Sequence, residues 1–324
     1  MRRLKPLAVR PCETHDAPVS LVAWIKGTRG ASGFGYGSTA EAATEGIDLS
    51  GKNILITGSN SGIGLESARV LALRGARVFA AARSVAKAEE VCKTLAGDPV
   101  ALACELSQPA SVRACVQAVL DAGTQVDVVL CNAGIMALPE RSVLHGQELQ
   151  FLTNHIGHFM LVTGLLGSLS DTGRVVMLSS AAHSWAPKGG IQFDDISFAN
   201  NYSGTLAYGQ SKLANLLFAK SLAKRFVGSQ RTANAVHPGV IATNLVRHMN
   251  PVVRALMPVA QAVAMKSIPQ GAATQCYVAA HPSLKDISGE YFADCNVTRP
   301  SRLASDAELA ERLWQVSEEI VAGF

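Results

Sequence analysis

Apolar residues along this chain gather into short unbroken runs, separated by longer stretches with helical spacing. The runs are NILIT (53–57), RVFAAA (77–82), PVALAC (99–104), VDVVLC (126–131), RVVMLS (174–179) and ANAVHP (233–238). Short apolar runs without alternation mark strands buried on both faces. The intervening stretches 61–73, 85–95 and 110–120 repeat apolar residues as helices do. Strand and helix in alternation predict a parallel sheet covered by helices on both sides. GEYFA (289–293) offers a seventh strand. The expected fold is therefore α/β, a Rossmann-type doubly wound parallel sheet of about seven strands, in a single domain over 49–324. Residues 1–48, rich in Gly, Ser, Thr and Ala, show no such period and read as a loosely ordered extension. Ligands of such sheets sit at the carboxyl ends of the strands.

Composition narrows the picture. Of 324 residues 48% are apolar and 17% charged, enough for a sizeable core and too apolar for a disordered chain. The net charge of +4, with no Lys/Arg cluster, argues against a nucleic-acid partner. No apolar run reaches the ~18 residues of a membrane span. Seven cysteines at 12, 92, 104, 115, 131, 276 and 295 form no CxxC and no metal-ligand spacing. They suggest a reducing, cytoplasmic location and no metal. Arg2, Arg3, Lys5 and Arg10 would also suit a cleavable targeting segment, although Glu13 and Asp16 follow closely.

Strand NILIT runs directly into TGSNSGIG, placing Gly58, Gly62 and Gly64 at a strand-to-helix turn. Glycines there permit the turn and let a pyrophosphate approach the backbone, while the following helix aims its N–H groups at that anion. Ser59, Asn60, Ser61 and Ile63 complete the loop. The second strand ends AAARS, with Arg83 and Ser84 where a cofactor bearing a free 2′-hydroxyl would want an acid. A guanidinium suits a 2′-phosphate, so NADP(H) is expected over NAD(H).

Downstream, LAYGQSKLANLLFAK sets Tyr208 and Lys212 one helical turn apart, over the same surface. A phenol and an ammonium so placed suit proton transfer, since a nearby cation stabilises the phenolate. TGSNSGIG, CNAG (131–134), Asn154, Ser180, Tyr208-x-x-x-Lys212 and HPGVIATN (237–244), in that order, resemble the short-chain dehydrogenase/reductase family over residues 48–320. NHIGHF, SSAAH, GIDLSGK and QGAAT are similar to its retinol-dehydrogenase and WW-domain-oxidoreductase subgroup and their plant chloroplast-envelope relatives.

The resemblance implies roles. Tyr208 is the acid for carbonyl reduction or the base for alcohol oxidation. Lys212 lowers its pKa and binds the nicotinamide ribose. Ser180, with Ser179 as the adjacent candidate, hydrogen-bonds the substrate oxygen. Asn154 holds a helix distortion and a water leading protons to the lysine. Asn132, Ala133 and Gly134 line the cofactor riboses, and Glu105 and Leu106 lie near adenine. Pro238, Gly239, Val240 and Thr243 hold the nicotinamide. The sequence departs from the family at Cys131, usually Asn, and at Glu105, usually Asp. His155 and His158 have no partner in the pattern and read as packing or polar contacts.

Ser180 and Tyr208 lie 28 positions apart, with Trp185, Phe193 and Phe198 in the intervening loop, to cap the site or pin the loop. The resemblance implies a substrate lid at about 240–268, in the apolar, nearly acid-free stretch after HPG, with a core helix as the alternative. As a lid it favours a small apolar carbonyl or alcohol as partner, ketone or aldehyde, retinoid- or steroid-like. Helices 143–169 and 205–227 form the family's usual dimer surface, and their fairly apolar outer faces permit a homodimer. An alternative function is a nucleotide-sensing interaction protein with little turnover. The intact Asn154, Ser180, Tyr208 and Lys212 set argues against it.

Overall fold

The computed structural model describes residues 29–241 and 265–324. Thr243 and most of the expected lid lie outside the described residues. The elements are α1 (Ala40–Ala43), β1 (Asn53–Thr57), α2 (Gly62–Leu73), β2 (Arg77–Ala82), α3 (Val85–Cys92), β3 (Val100–Ala103), α4 (Pro109–Asp121) and β4 (Val126–Cys131). A hairpin, β5 (Val143–Leu144) with β6 (Gln147–Glu148), leads into helix α5 (149–165). Next come β7 (Leu169–Leu178), α6 (Gly204–Arg225), β8 (Thr232–His237), α7 (Ile268–Ala280), β9 (Tyr291–Ala293), β10 (Asn296–Val297) and α8 (Ala307–Ala322).

The sheet runs β10-β9-β8-β7-β4-β1-β2-β3. Seven strands are parallel as expected, and an antiparallel edge strand, β10, brings the total to eight. The chain order reverses between β1 and β4, so the crevice for a ligand opens at their carboxyl ends. NILIT shows why the strand runs are unbroken. Leu55 enters the core under α4, α5, α6 and α8, whereas Ile54 and Ile56 enter the core under α2 and α7. Successive side chains point to opposite faces, and both faces are covered.

Two expectations change. Residues 29–48 are packed, not loose. Ala40 and Ala43 are fully buried against α7, and Phe34 meets Tyr277 edge-on. Asn296 accepts from Ser32 N–H at 3.0 Å and donates to the Phe34 carbonyl at 3.1 Å. Small residues allow close helix contact without the large apolar stripe that signals a core helix. Second, the outer face of α5 and α6 is taken by α8. Trp314 packs edge-on against Phe159 with ring centroids 5.0 Å apart, stacks near Phe218 and lies 3.6 Å from the Arg225 guanidinium. Among the described residues, the surface expected to pair two copies is covered by this chain's own helix.

Candidate active site

The loop after β1 carries the turn its glycines require. Gly58 and Gly62 have φ of 66° and 56°, dihedrals that side chains disfavour. A Cβ on Gly64 would lie 2.2 Å from the Gly58 carbonyl oxygen and 2.4 Å from Asn132 Nδ2, so α2 begins in contact with the turn. Gly58, Asn60, Ser61 and Gly62 keep surface open, while Ser59 is buried and donates its hydroxyl to the Ala81 carbonyl at 3.2 Å. Ile63 packs against Gly271 of α7. Arg83 and Ser84 are exposed just past β2.

Other predicted contacts divide. Asn132 turns its amide into the scaffold, donating to the Thr57 carbonyl at 3.0 Å and accepting from Gln275 at 3.2 Å. One Glu105 oxygen accepts from Ser107 N–H and hydroxyl at 3.3 and 3.0 Å, so the carboxylate caps its own turn. Leu106 is buried against Gly157 of α5. Ala133 and Gly134 remain partly open, and a Cβ on Gly134 would sit 3.1 Å from Asn154 Oδ1 and 3.4 Å from Lys212 Nζ. Pro238 and Gly239 are partly open and Val240 is exposed at the end of β8; Gly239 has φ of 91°. The cradle of uncrowded backbone, opening onto a helix N-terminus, fits a dinucleotide.

Asn154, Ser180, Tyr208 and Lys212 come from α5, the end of β7 and α6. Asn154 lies in a π-helical segment, Leu152–Ile156. Its amide oxygen accepts from Ile135 N–H at 2.8 Å, and its Nδ2 donates to the Ile135 carbonyl and Ser211 hydroxyl, each at 2.9 Å. The distortion expected at this asparagine is present, and π-bulges often mark functional sites. Ser179 is excluded as the substrate donor: its buried hydroxyl donates to the Lys212 carbonyl at 2.7 Å. Ser180 is half-buried, and its hydroxyl acts on the Tyr208 phenol in the direction opposite to burial.

The electrostatics differ from expectation. Burial pushes Tyr208 up to about 12, against the opposing Ser180 hydrogen bond. Burial also pushes Lys212 down to about 8. Lys212 Nζ lies 5.7 Å from the Tyr208 ring centroid and donates to the Leu178 carbonyl at 3.0 Å. Burial is the largest cause acting on the phenol, and the expected lowering by the Lys212 ammonium is not among the causes of its shift.

One residue that ties the site together, Thr57, was not foreseen. Thr57 Oγ1 accepts from Asn132 N–H and Ala133 N–H, each at 3.0 Å, and lies 2.8 Å from His158 Nε2. His158 Nδ1 is 2.9 Å from the Asn154 carbonyl. The other expected contact histidine, His155, bonds Ser317 of α8 at 2.9 Å. In the loop after β7, Phe198 is buried and Phe193 packs on the core and beneath Arg312, pinning the loop, whereas Trp185 is exposed. A surface recess of about 500 Å³ between α4, the β5–β6 hairpin and the chain end holds no predicted site residue.

A dinucleotide crevice with a Tyr/Lys pair at the carboxyl edge of a parallel sheet defines an oxidoreductase. The family model for short chain dehydrogenase matches residues 52–192. The chain is 44% identical over 311 residues to "Short-chain dehydrogenase TIC 32 A, chloroplastic" of Brassica napus, covering 92% of this chain and 97% of that one. It belongs to the short-chain dehydrogenase family, whose members act with nicotinamide cofactors on CH–OH and C=O groups. Retinol dehydrogenase 12 of Mus musculus is 40% identical over 285 residues, 86% of this chain and 89% of its own. Among solved structures, a putative uncharacterized protein from Mycobacterium Paratuberculosis superposes with a TM-score of 0.69 at 35% identity, covering 86% of this chain and 97% of that one. Among the described residues, no helix is long and apolar enough to cross a membrane.

Proposed function

We propose that this protein reduces small apolar carbonyl compounds with NADPH, Tyr208 donating the proton. The observation that carries this reading is the buried Tyr208 phenol beside the buried Lys212 ammonium, with Nζ 5.7 Å from the ring centroid, next to the glycine turn. A reduced nicotinamide, when bound, supplies the hydride. As the substrate oxygen gains charge, Ser180 donates a hydrogen bond to it and Tyr208 hands over its proton. The Lys212 ammonium stabilises the phenolate left behind. Asn154 keeps the backbone at Ile135 and the lysine in register. Arg83, exposed just past β2 at the position where a free 2′-hydroxyl would want an acid, supports a 2′-phosphate contact. Three solved relatives of like fold are described with NADP bound. Relatives named retinol dehydrogenases act on an apolar alcohol, consistent with the apolar stretch after HPG.

Parallel fluorescence titrations with NADPH and NADH test the cofactor. NADPH should bind more tightly, and Arg83→Asp should weaken NADPH far more than NADH. Equal losses would dismiss the phosphate contact. Tyr208→Phe should cut reduction of apolar aldehydes by about 10²- to 10⁴-fold, the usual worth of a positioned proton donor, with cofactor affinity kept. Unchanged turnover would remove Tyr208 from the reaction.

A further inference from the structure

We propose that His183 is the positioning residue for Ser180, and that it fastens the substrate-side hydroxyl to the C-terminal segment around Ser301. This rests on the reading of Ser180 as the donor to the substrate oxygen. Ser180 leaves the sheet as the N-cap of a short 3₁₀ turn, Ala181–Trp185, with its hydroxyl accepting from Ala182 N–H at 3.2 Å. Its carbonyl receives two donors from one residue: His183 N–H at 3.1 Å and the His183 ring at Nδ1, 2.6 Å away. The far side of that ring is also committed. Nε2 accepts from Ser301 N–H at 3.0 Å, across 118 residues of sequence, and the ring meets Tyr291 of β9 edge-on with centroids 5.1 Å apart.

These bonds allow one state of the imidazole. Nδ1 must carry the proton to serve the carbonyl, and Nε2 must be bare to accept the Ser301 N–H. A protonated ring would set two N–H groups face to face at Ser301. Burial disfavours the imidazolium as well. The neutral Nδ1–H form therefore acts as a rigid strut between the Ser180 peptide and the 3₁₀ turn at 302–305, which lies outside the sheet. Rotation of the Ser180–Ala181 peptide would turn the Ser180 carbonyl away from both His183 donors. A second histidine braces the same turn, since Ala181 N–H donates to His237 Nδ1 at 3.3 Å. The strands fix Ser180 from behind, through Ser179 N–H to the Val236 carbonyl at 2.8 Å. His183 fixes it from the front. A misplacement of about 1 Å in a reacting group costs about 100-fold in rate, so a hydroxyl at a strand exit needs such a brace.

The test compares His183→Leu, His183→Gln, Ser301→Pro and Ser180→Ala, read by NADPH affinity and by kcat and KM with the apolar aldehyde the wild type reduces best. Gln can both donate to the carbonyl and accept from Ser301. Ser301 has φ of −59°, already suited to proline, so Ser301→Pro removes the N–H donor while keeping the backbone angle. His183→Leu should lower kcat about 10- to 100-fold with KM and NADPH affinity little changed, Gln should recover most of it, and Ser301→Pro should lower kcat several-fold. If Ser180→Ala collapses kcat while His183→Leu stays within twofold of wild type, the proposal fails alone. If Ser180→Ala keeps full turnover, the role of Ser180 fails and the proposal with it. ¹⁵N NMR of the imidazoles gives a reading without substrate: His183 should be a neutral Nδ1–H tautomer, and an Nε2–H tautomer would overturn the strut.

Discussion

At the scale of single residues, the proposed chemistry turns on two groups that burial shifts in opposite directions. Tyr208 keeps its proton to about 12, and Lys212 keeps its charge only to about 8. Carbonyl reduction needs the phenol protonated and the ammonium charged. Below about 8 both hold; above it the amine loses its proton first. Reduction should therefore run level through neutrality and decline as pH passes about 8, whereas alcohol oxidation, which needs the phenolate, should rise with pH. Lys212→Arg, cationic at every accessible pH, should remove the alkaline decline even if its rate is lower. A pH–rate profile of each direction checks this, and an alkaline limb that persists in the arginine variant would point to another group. The residue types and spacing of Tyr208 and Lys212 were legible in the sequence. Their pKa shifts were not, because desolvation depends on what covers the pair. The resemblance already pointed to Ser180 over Ser179, and the bond from the Ser179 hydroxyl to the Lys212 carbonyl agrees with that choice.

At the scale of elements, strands read well because their apolar runs are confined between buried faces, and β1, β2 and β4 fall where NILIT, RVFAAA and VDVVLC place them. Ends read less well. β7 starts at Leu169, five positions before the run that marked it, because its first residues are polar and pair only at the sheet margin. The glycine turn offers the sharpest element-level test. Gly64→Ala would drive a methyl into the Gly58 carbonyl and the Asn132 amide, both parts of the scaffold. Cofactor affinity should fall by at least about tenfold, since one lost charge-assisted contact already carries that much, and the melting temperature should drop. A variant with wild-type affinity would mean the turn relaxes freely. The histidines of NHIGHF and SSAAH illustrate what spacing hides. His158 and His183 each reach a backbone carbonyl nearby and a partner far away in sequence, and only the near half lies within a local motif.

At the scale of the molecule, α8 covers the face of α5 and α6 that was expected to pair two copies. Leu313, Trp314 and Ala310 are buried over α5 and α6, and Arg225 holds Glu311 at 3.0 Å on the rim. The protein should sediment as a monomer at micromolar concentration. Removing residues 307–324 should strip that cover, exposing Phe159 and Phe218, and yield dimers or aggregates. A wild-type dimer would show that pairing uses another face. No local pattern could reveal this arrangement. The amphipathic stripe of 307–322 says that the helix lies on something, and only the assembled fold says that it lies where a second copy would.

The tie between Asn296 and the Ser32–Phe34 backbone bears on any trimming of the front of the chain. A protease that trims the front of this protein works against a ruler set by the opposite end of the chain. Cuts ahead of Gly30 spare every contact described for residues 29–48. Cuts beyond Tyr36 remove the cover from Tyr277 and leave the edge strand β10 without its clasp. Any naturally processed form that stays folded and active should therefore begin before Gly30, and N-terminal sequencing of the protein recovered from its own cells reads that boundary directly.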